Sequence, residues 1–233
     1  MFLALLLAAT GFASASPALP RWHITANRLD VPAGNLAADF TIANDDRVNE
    51  RFEITAYSWN QHDGAETRRV DVDDVLIFPR LLELAPGESR RIRVGVLRSD
   101  PSVESDYRIA VEQLFDPQRD RSGIHFLLAY NLPLFVAPQR SIFNARIAGV
   151  SARSRTLYVT VSNGGNVHVF VRRAVVRWRG ASSAYGQPFY VLPHATMGFA
   201  AVVHRCGTGL VTIVPDKESH LAPLTASLSI PCP

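Results

Sequence analysis

The sequence has little lysine and little net charge. Lys217 is the one lysine among 24 basic residues, and the arginines alternate with 21 acidic residues to give a formal net charge of +3 at pH 7. Nucleic-acid-binding proteins usually carry clustered basic patches, so this balance does not favour nucleic acid as the main partner. The 14 Gly and 15 Pro residues are spread along the chain. No segment therefore has the composition of a disordered region.

Motifs of common catalytic and metal sites are also missing from the sequence. It contains no Gly-x-Ser-x-Gly and no Gly-x-Gly-x-x-Gly. Asp71, Asp73 and Asp74 form an acidic loop that lacks the glycine and the final glutamate of an EF-hand. The histidines have no close pair at ligand spacing and lie at His23, His62, His125, His168, His194, His204 and His220. We therefore expect a protein that is not an enzyme and has no cofactor or metal.

Long apolar runs are absent except at the N-terminus. The run at residues 2–9 is followed by Ala13-Ser14-Ala15, the small-x-small pattern that signal peptidase cleaves. The run is too short for a permanent anchor, and no other stretch approaches about 20 apolar residues. We expect residues 1–15 to be a signal peptide and the mature chain to be exported, with no stable membrane insertion.

Cysteine is scarce as well, with only Cys206 and Cys232, both near the C-terminus. A metal site would need further ligands nearby, whereas an exported chain meets an oxidising compartment. We predict one disulfide that ties the last strand back to its own domain.

What the sequence does contain is a series of short alternating runs. From Trp22 onward, apolar and polar residues alternate in segments separated by turn residues about every 8 to 12 positions. This spacing is typical of all-β sandwiches and not of helices. The runs fall into two series on either side of a junction near residues 137–142. We predict two tandem sandwiches, at residues 20–139 and 143–233.

The most apolar of these segments, residues 124–138, closes the first series. At a strand's period of two, one face carries Ile124, Phe126, Leu128, Tyr130, Leu132 and Leu134. The other face carries Leu127, Ala129, Pro133 and Phe135. Pro133 lacks a ladder donor and favours a sheet edge. An apolar edge strand needs a cover, so we predict that a partner protein supplies it.

Several landmarks occur in a familiar order along nearly the whole mature chain. They are the segments 28–34 (Arg-Leu-Asp-Val-Pro-Ala-Gly), 84–87 (Leu-Ala-Pro-Gly), 107–108 (Tyr-Arg), 132–138 (Leu-Pro-Leu-Phe-Val-Ala-Pro) and 163–168 (Asn-Gly-Gly-Asn-Val-His). In this order the chain resembles the periplasmic pilus-assembly chaperones of the chaperone-usher pathway, in their archaic, Csu-like branch. The resemblance implies two immunoglobulin-like β-sandwich domains set at an angle, located in the periplasm.

The resemblance also implies partners and a site. Such chaperones lend a strand to a pilin subunit that lacks its own last strand, and hand the subunit to an outer-membrane usher. By position, the lent side chains are Ile124, Phe126, Leu128 and Tyr130. The family anchors the pilin's C-terminal carboxylate with an arginine, which falls on Arg28, and a lysine, whose position here is Pro133. The candidates for the second cation are Arg108 and Arg93.

A different function remains open from the residues alone. Trp59, Trp178 and the tyrosines could form a sugar-binding platform in a secreted two-domain adhesin or carbohydrate-binding module. That function requires the aromatic rings to be exposed and coplanar. A tryptophan buried between two sheets would favour the first interpretation.

Overall fold

The computed structural model describes residues 21–62, 65–66, 69–117, 125–178, 181–185, 187–204 and 206–230. These residues form β-strands and no helix, which confirms the predicted all-β class. None of the described segments is therefore a helix that could cross a membrane. The predicted signal peptide (residues 1–15), Ile124 and Cys232 lie outside the described residues. The leader and the disulfide to Cys206 thus stay predictions.

The first half of the described chain forms the first sandwich. Its strands are β1 (Trp22–Ile24), β2 (Leu29–Val31), β3 (Ala37–Asn44), β4 (Glu50–Ser58), β5 (Gln61–His62), β6 (Ala65–Glu66), β7 (Val70–Asp71), β8 (Val75–Phe78), β9 (Leu81–Leu84), β10 (Ser89–Val96), β11 (Ser105–Gln113) and β12 (Ala129–Val136). One sheet has the order β1-β3-β10-β8. The facing sheet has the order β2-β12-β11-β4-β7, with β9 also paired to β4, and β5 pairs only with β6.

The second half forms the second sandwich. Its strands are β13 (Ala145–Arg153), β14 (Thr156–Asn163), β15 (Val169–Trp178), β16 (Ala181–Tyr185), β17 (Phe189–Val191), β18 (Thr196–Val202), β19 (Gly207–Pro215) and β20 (Leu224–Ile230). One sheet has the order β13-β14-β18, and the other has the order β16-β15-β19-β20 with β17 paired to β15.

Each sandwich buries a core of its own between its two sheets. In β4 the predicted alternation is confirmed, because Phe52, Ile54 and Ala56 all face the first core. The second core includes Leu157, Val159, Val161, Val176, Val211 and Ile213. The chain thus has two separate apolar cores, which agrees with the two series of alternating runs.

Glycine serves two different purposes in the turns. Gly34 and Gly87 have φ angles of 81° and 74°, a region that side chains strongly disfavour, and both lie in turns that the sequence predicts. Gly164 and Gly165 also lie at a predicted turn, but neither has a positive φ. A Cβ at Gly165 would collide with the carbonyl oxygen of Ile142. This turn therefore requires glycine for a close backbone approach.

Strand β12 is shorter and less exposed at its end than the sequence predicts. Residues 125–128 are not in a strand, although the main chain of Leu128 is tied to Gln113 by hydrogen bonds of 3.0 and 3.2 Å. The strand pairs with β11 over its whole length, whereas β2 pairs with it only at Leu134–Val136. The predicted edge is therefore correct for residues 129–133 and wrong for the last three residues. Pro133 immediately precedes the stretch that β2 covers.

The two sandwiches meet through a small buried cluster. Trp59 and Phe135 of the first sandwich pack against Tyr190, Leu192 and Ala195 of the second. His168 lies parallel to the Phe135 ring, with 3.7 Å between ring centroids. The cluster is buried, and apolar burial of this kind stabilises the relative position of the two halves.

Polar contacts on both sides of this cluster fix the junction further. The Gln61 amide donates to the Tyr190 carbonyl (3.0 Å) and accepts from the Leu192 amide (2.9 Å). The Glu104 carboxylate accepts from the His168 main-chain amide at 2.8 Å and lies 2.9 Å from His168 Nδ1. Side chains of the first sandwich thus satisfy main-chain groups of the second, which favours one arrangement of the junction.

Beside Glu104 lies a second carboxyl group, that of Asp106. Burial raises the pKa of Asp106 well above its usual value of 3.8, and the neighbouring Glu104 carboxylate raises it further. Asp106 Oδ1 is buried and has no hydrogen-bond partner among the described residues. An ionised Asp106 is therefore unfavourable in the folded state.

The first prediction concerns the core face of β12. Leu134→Ala should lower the free energy of unfolding by about 3 kcal/mol, because Leu134 is fully buried and its truncation leaves a cavity. Leu128→Ala removes the same atoms from the same face outside the core and should cost less than about 0.5 kcal/mol. Urea denaturation measures both. Equal losses would mean that the two leucines do not differ in burial.

The second prediction concerns Asp106. The proton is bound more tightly in the folded than in the unfolded state, so the site destabilises the fold as pH rises above 3.8. Asp106→Asn should raise the free energy of unfolding at pH 7 by on the order of 1 kcal/mol, with the gain vanishing as pH falls toward 3.8. The exposed control Asp73→Asn should change it by less than about 0.5 kcal/mol at either pH. A pH-independent gain at Asp106 would contradict this cause.

Candidate functional site

One face of the segment leading into β12 changes from exposed to buried within a few residues. Phe126, Leu128 and Tyr130 are 49%, 41% and 38% exposed. Leu132 and Leu134 lie on the same face by the period of two, and both are fully buried in the first core. The apolar row thus extends beyond the sandwich that it helps to fill.

This exposed row forms one wall of a groove. The chain passes from one sheet to the other between β1, which pairs with β3, and β2, which pairs with β12. This crossing leaves a gap beside residues 128–130 that encloses about 650 Å³. Its lining residues are Trp22, His23, Ile24, Thr25, Ala26, Asn27, Leu128, Ala129 and Tyr130.

The predicted donor residues differ in their relation to this groove. Leu128 and Tyr130 line it, Phe126 is exposed just before it, and Ile124 lies outside the described residues. The sequence did not identify residues 22–27 as the opposite wall. No local pattern indicates the space that the crossing between the two sheets leaves.

Arg28 lies at one end of the crossing, in a cleft between the two sandwiches. Its Nε donates to Asp30 Oδ2 at 2.6 Å, and its Nη2 donates to Glu218. Its Nη1 is 4.0 Å from Asp216 Oδ2. Asp216 and Glu218 belong to the second sandwich and Arg28 and Asp30 to the first. Arg28 is therefore a mostly buried ion-pairing residue of the junction and not an ordinary surface arginine.

The electrostatics of this cleft keep Arg28 charged. Burial alone would lower the pKa of the Arg28 guanidinium, but the carboxylates of Glu218 and Asp30 outweigh that effect and raise the pKa above its usual value. The same contact lowers the pKa of the Glu218 carboxyl. The cleft encloses about 380 Å³, and His168 and Glu104 also line it. A buried, permanently charged guanidinium in an open cleft can bind a carboxylate through two parallel hydrogen bonds.

Arg108, the first candidate for the second cation, lies directly opposite Pro133 in the pairing of β11 with β12. Its guanidinium lies 3.7 Å from the ring centroid of Trp59, and its Nη2 donates to Glu66 Oε1 at 2.7 Å. The second candidate, Arg93, belongs to β10 in the facing sheet. It lines a different groove with Asp39 and Arg91, outside the cleft of Arg28.

Tyr190 lies within reach of both Arg28 and Arg108. Burial raises the pKa of Tyr190. The charge of Arg28, a hydrogen bond with Arg28 and the charge of Arg108 each oppose that rise. The Tyr190 ring also packs against Trp59 and Phe135. Arg28, which precedes β2, and Arg108 of β11 therefore approach the same aromatic cluster at the junction.

The alternative of a sugar-binding platform is not supported by the aromatic residues. Trp59 is buried in the junction cluster and Trp178 in the second core. Neither ring is available for stacking on a sugar, so the exposed coplanar surface expected of that alternative is missing at these two positions. Among the described residues, no group of three or more His, Cys, Asp or Glu side chains could hold a metal ion.

Comparisons with solved structures show the fold. The chain is similar to the CsuC–CsuE chaperone–tip subunit pre-assembly complex of archaic Csu pili from Acinetobacter baumannii, with 16% identity and a TM-score of 0.63 over 89% of this chain and 97% of that chain. It is also similar to the Pseudomonas aeruginosa CupB2 chaperone, with 14% identity and a TM-score of 0.57 over 90% and 100% of the two chains.

A third similar structure is the Salmonella enterica SafA pilin in complex with the SafB chaperone, with 15% identity and a TM-score of 0.59 over 91% of this chain and 99% of that chain. These identities are low, so the structural matches establish the two-sandwich chaperone fold alone. A search of the curated proteins finds no match by sequence.

The sequence itself matches a family model over its first sandwich. Residues 22–141 match the PapD N-terminal domain of pili and flagellar-assembly chaperones. This range includes the exposed apolar row, the groove beside it, Arg28 and Arg108. The predicted resemblance is therefore confirmed, and the chain belongs to the family of pili and flagellar-assembly chaperones.

Proposed function

We propose that this chain holds pilin subunits by lending them a strand, and that residues 126–133 supply it. The single observation that carries the proposal is the exposed apolar row of Phe126, Leu128 and Tyr130 beside a flank of β12 without a strand partner among the described residues. An apolar edge of this kind is an aggregation hazard unless a partner covers it. In the similar solved complexes of Csu and Saf chaperones, the bound subunit is a tip subunit or a pilin.

The pairing of β12 defines where the guest strand can add. Strand β2 occupies the flank at Leu134–Val136, so an incoming strand pairs with residues 129–133 and continues toward Phe126. Main-chain hydrogen bonds supply affinity that tolerates different subunit sequences. The lent side chains enter the guest's open groove, and burying each contributes about 1.5 to 3 kcal/mol.

The cleft of Arg28 supplies the anchor for the guest's C-terminal carboxylate. Arg28 is mostly buried and permanently charged, which suits a carboxylate that leaves water. Arg108 takes the role of the second cation, because it lies opposite Pro133, where the family places a lysine, and approaches the same tyrosine as Arg28. Arg93 has no part in this anchor, since it lines another groove.

The remaining parts of the proposal concern location and delivery. The chain acts in the periplasm after export by residues 1–15, where an oxidising environment permits the disulfide between Cys206 and Cys232. It passes subunits to an outer-membrane usher without using nucleotide. The free energy comes from the subunit, which folds more completely when its permanent partner strand replaces the lent one.

The third prediction concerns the lent side chains. Phe126→Asp combined with Leu128→Asp should abolish co-purification of the cognate pilin, because a carboxylate cannot enter an apolar groove without a large desolvation cost. The control is Leu127→Asp, which places one carboxylate at an exposed leucine that the period of two assigns to the opposite face. It should retain capture. If the double variant still binds, or if the control loses binding equally, the lent strand is wrongly placed.

The fourth prediction concerns the anchor. Arg28→Ala should weaken pilin binding by about 2 to 5 kcal/mol, the cost of removing one partner from a buried charged contact. Arg28→Lys should recover only part of this loss, since lysine cannot form the bidentate contact. Titration calorimetry measures both variants. The control is Arg90→Ala, which removes an exposed arginine that pairs locally with Glu88. If Arg28→Ala binds pilin as tightly as this control does, Arg28 is not part of the site.

A further inference from the structure

The guanidinium of Arg28 is already surrounded by carboxylates of this chain. Asp30 contacts Nε, Asp216 lies near Nη1, and Glu218 contacts Nη2. An incoming carboxylate that binds the two Nη groups must therefore replace a partner that is present. The three carboxylates differ in how easily they can leave.

Glu218 is the partner that can leave at the lowest cost. Its side chain is 69% exposed, whereas that of Asp216 is 13% exposed. Asp216 also caps its own turn, because its Oδ1 accepts from the Ser219 amide at 3.1 Å. Asp30 is fixed on β2, opposite Phe135 in the strand pairing. Glu218 lies between β19 and β20 in a turn at the surface, so its long side chain can turn into solvent and regain full hydration.

The charge of the cleft requires that one carboxylate leaves. Its lining includes four acidic side chains, those of Asp30, Glu104, Asp216 and Glu218. Arg28 is the only arginine or lysine among the lining residues of this described cleft. A fifth carboxylate would meet repulsion from four others in a partly buried site, where charges interact more strongly than in water. Departure of Glu218 keeps the number of negative charges unchanged.

We propose that Glu218 is an internal counterion that occupies Arg28 in the empty chaperone and gives way to the C-terminal carboxylate of the bound subunit. The proposal deepens the proposed function and rests on it. Glu218 lowers the affinity for the subunit, because binding must break an existing ion pair. It also helps release, because the Glu218 carboxylate can again take up the Nη2 group that the departing subunit leaves. Glu218 is thus a residue that adjusts how tightly the anchor holds.

The test uses Glu218→Gln in the full chain, which keeps the shape of the side chain and removes its charge. The probe is a synthetic peptide with the sequence of the C-terminal strand of the captured pilin, made once with a free carboxylate and once with an amide. Glu218→Gln should bind the free-acid peptide about fivefold more tightly than wild type, the size expected for a partly exposed ion pair. Its affinity for the amide peptide should not change.

The control is Glu83→Gln, which removes the charge of an exposed glutamate that contacts Asn49 on the first sandwich. It should leave both affinities unchanged. If Glu218→Gln binds the free acid no better than wild type does, while wild type still prefers the acid to the amide, Glu218 only ties the two sandwiches together. The proposal for Glu218 is then wrong and the anchor stands. If neither peptide binds to wild type, the proposed function itself is wrong.

Discussion

The structure depends on one segment, residues 126–136, which completes the first sandwich with its end and leaves its beginning exposed. Side chains on one face of β12 fill the first core from Leu132 onward, whereas Phe126, Leu128 and Tyr130 keep the same face in solvent. The buried half holds the strand in a fixed position and register. In the proposed function the exposed half is presented to a partner at a defined place, and less ordering entropy is lost when the partner binds.

The other face of the same strand organises the junction. Phe135 points away from the first core and packs against Trp59, Tyr190 and His168. Because side chains alternate along a strand, one short segment fills the core, contacts the second sandwich and leads into the exposed row. The parallel pairing with β2 then places Arg28 beside this junction and within reach of acidic residues from the second sandwich. The groove and the anchor are consequently two parts of one arrangement.

Local sequence patterns predict a strand or turn when the residues that determine it lie within a few positions of one another. They fail when contacts with distant residues determine where an element begins or which residue a position requires. Alternation in β4 and turn residues such as Gly87 belong to the first kind. The start of β12 at Ala129 was missed, since residues 126–128 are as apolar as the strand itself but do not continue its ladder with β11. The need for glycine at residue 165 likewise has a distant cause, because the clash that excludes a side chain comes from residue 142.

The site shows the same division between local and distant causes. The period of two predicts the apolar row directly, and the position of Arg28 in a family landmark predicts its role. The pairing of Arg28 with Glu218 joins residues 190 positions apart in the sequence, and no local pattern could indicate it. Likewise, Arg108 and Arg93 are equal candidates by sequence, and only the strand pairing places one opposite Pro133 and the other in the facing sheet.

Hydrogen exchange of individual amides in the free chain and in its complex with pilin tests the central claim most directly. Amides at residues 126–131 that are not bonded to β11 or to Gln113 should exchange rapidly in the free chain and become protected in the complex, because a guest strand then covers that flank. Amides of Leu134 and Val136 should be protected in both states, since β11 and β2 already flank them. Binding of pilin without any added protection at residues 126–131 would contradict the account.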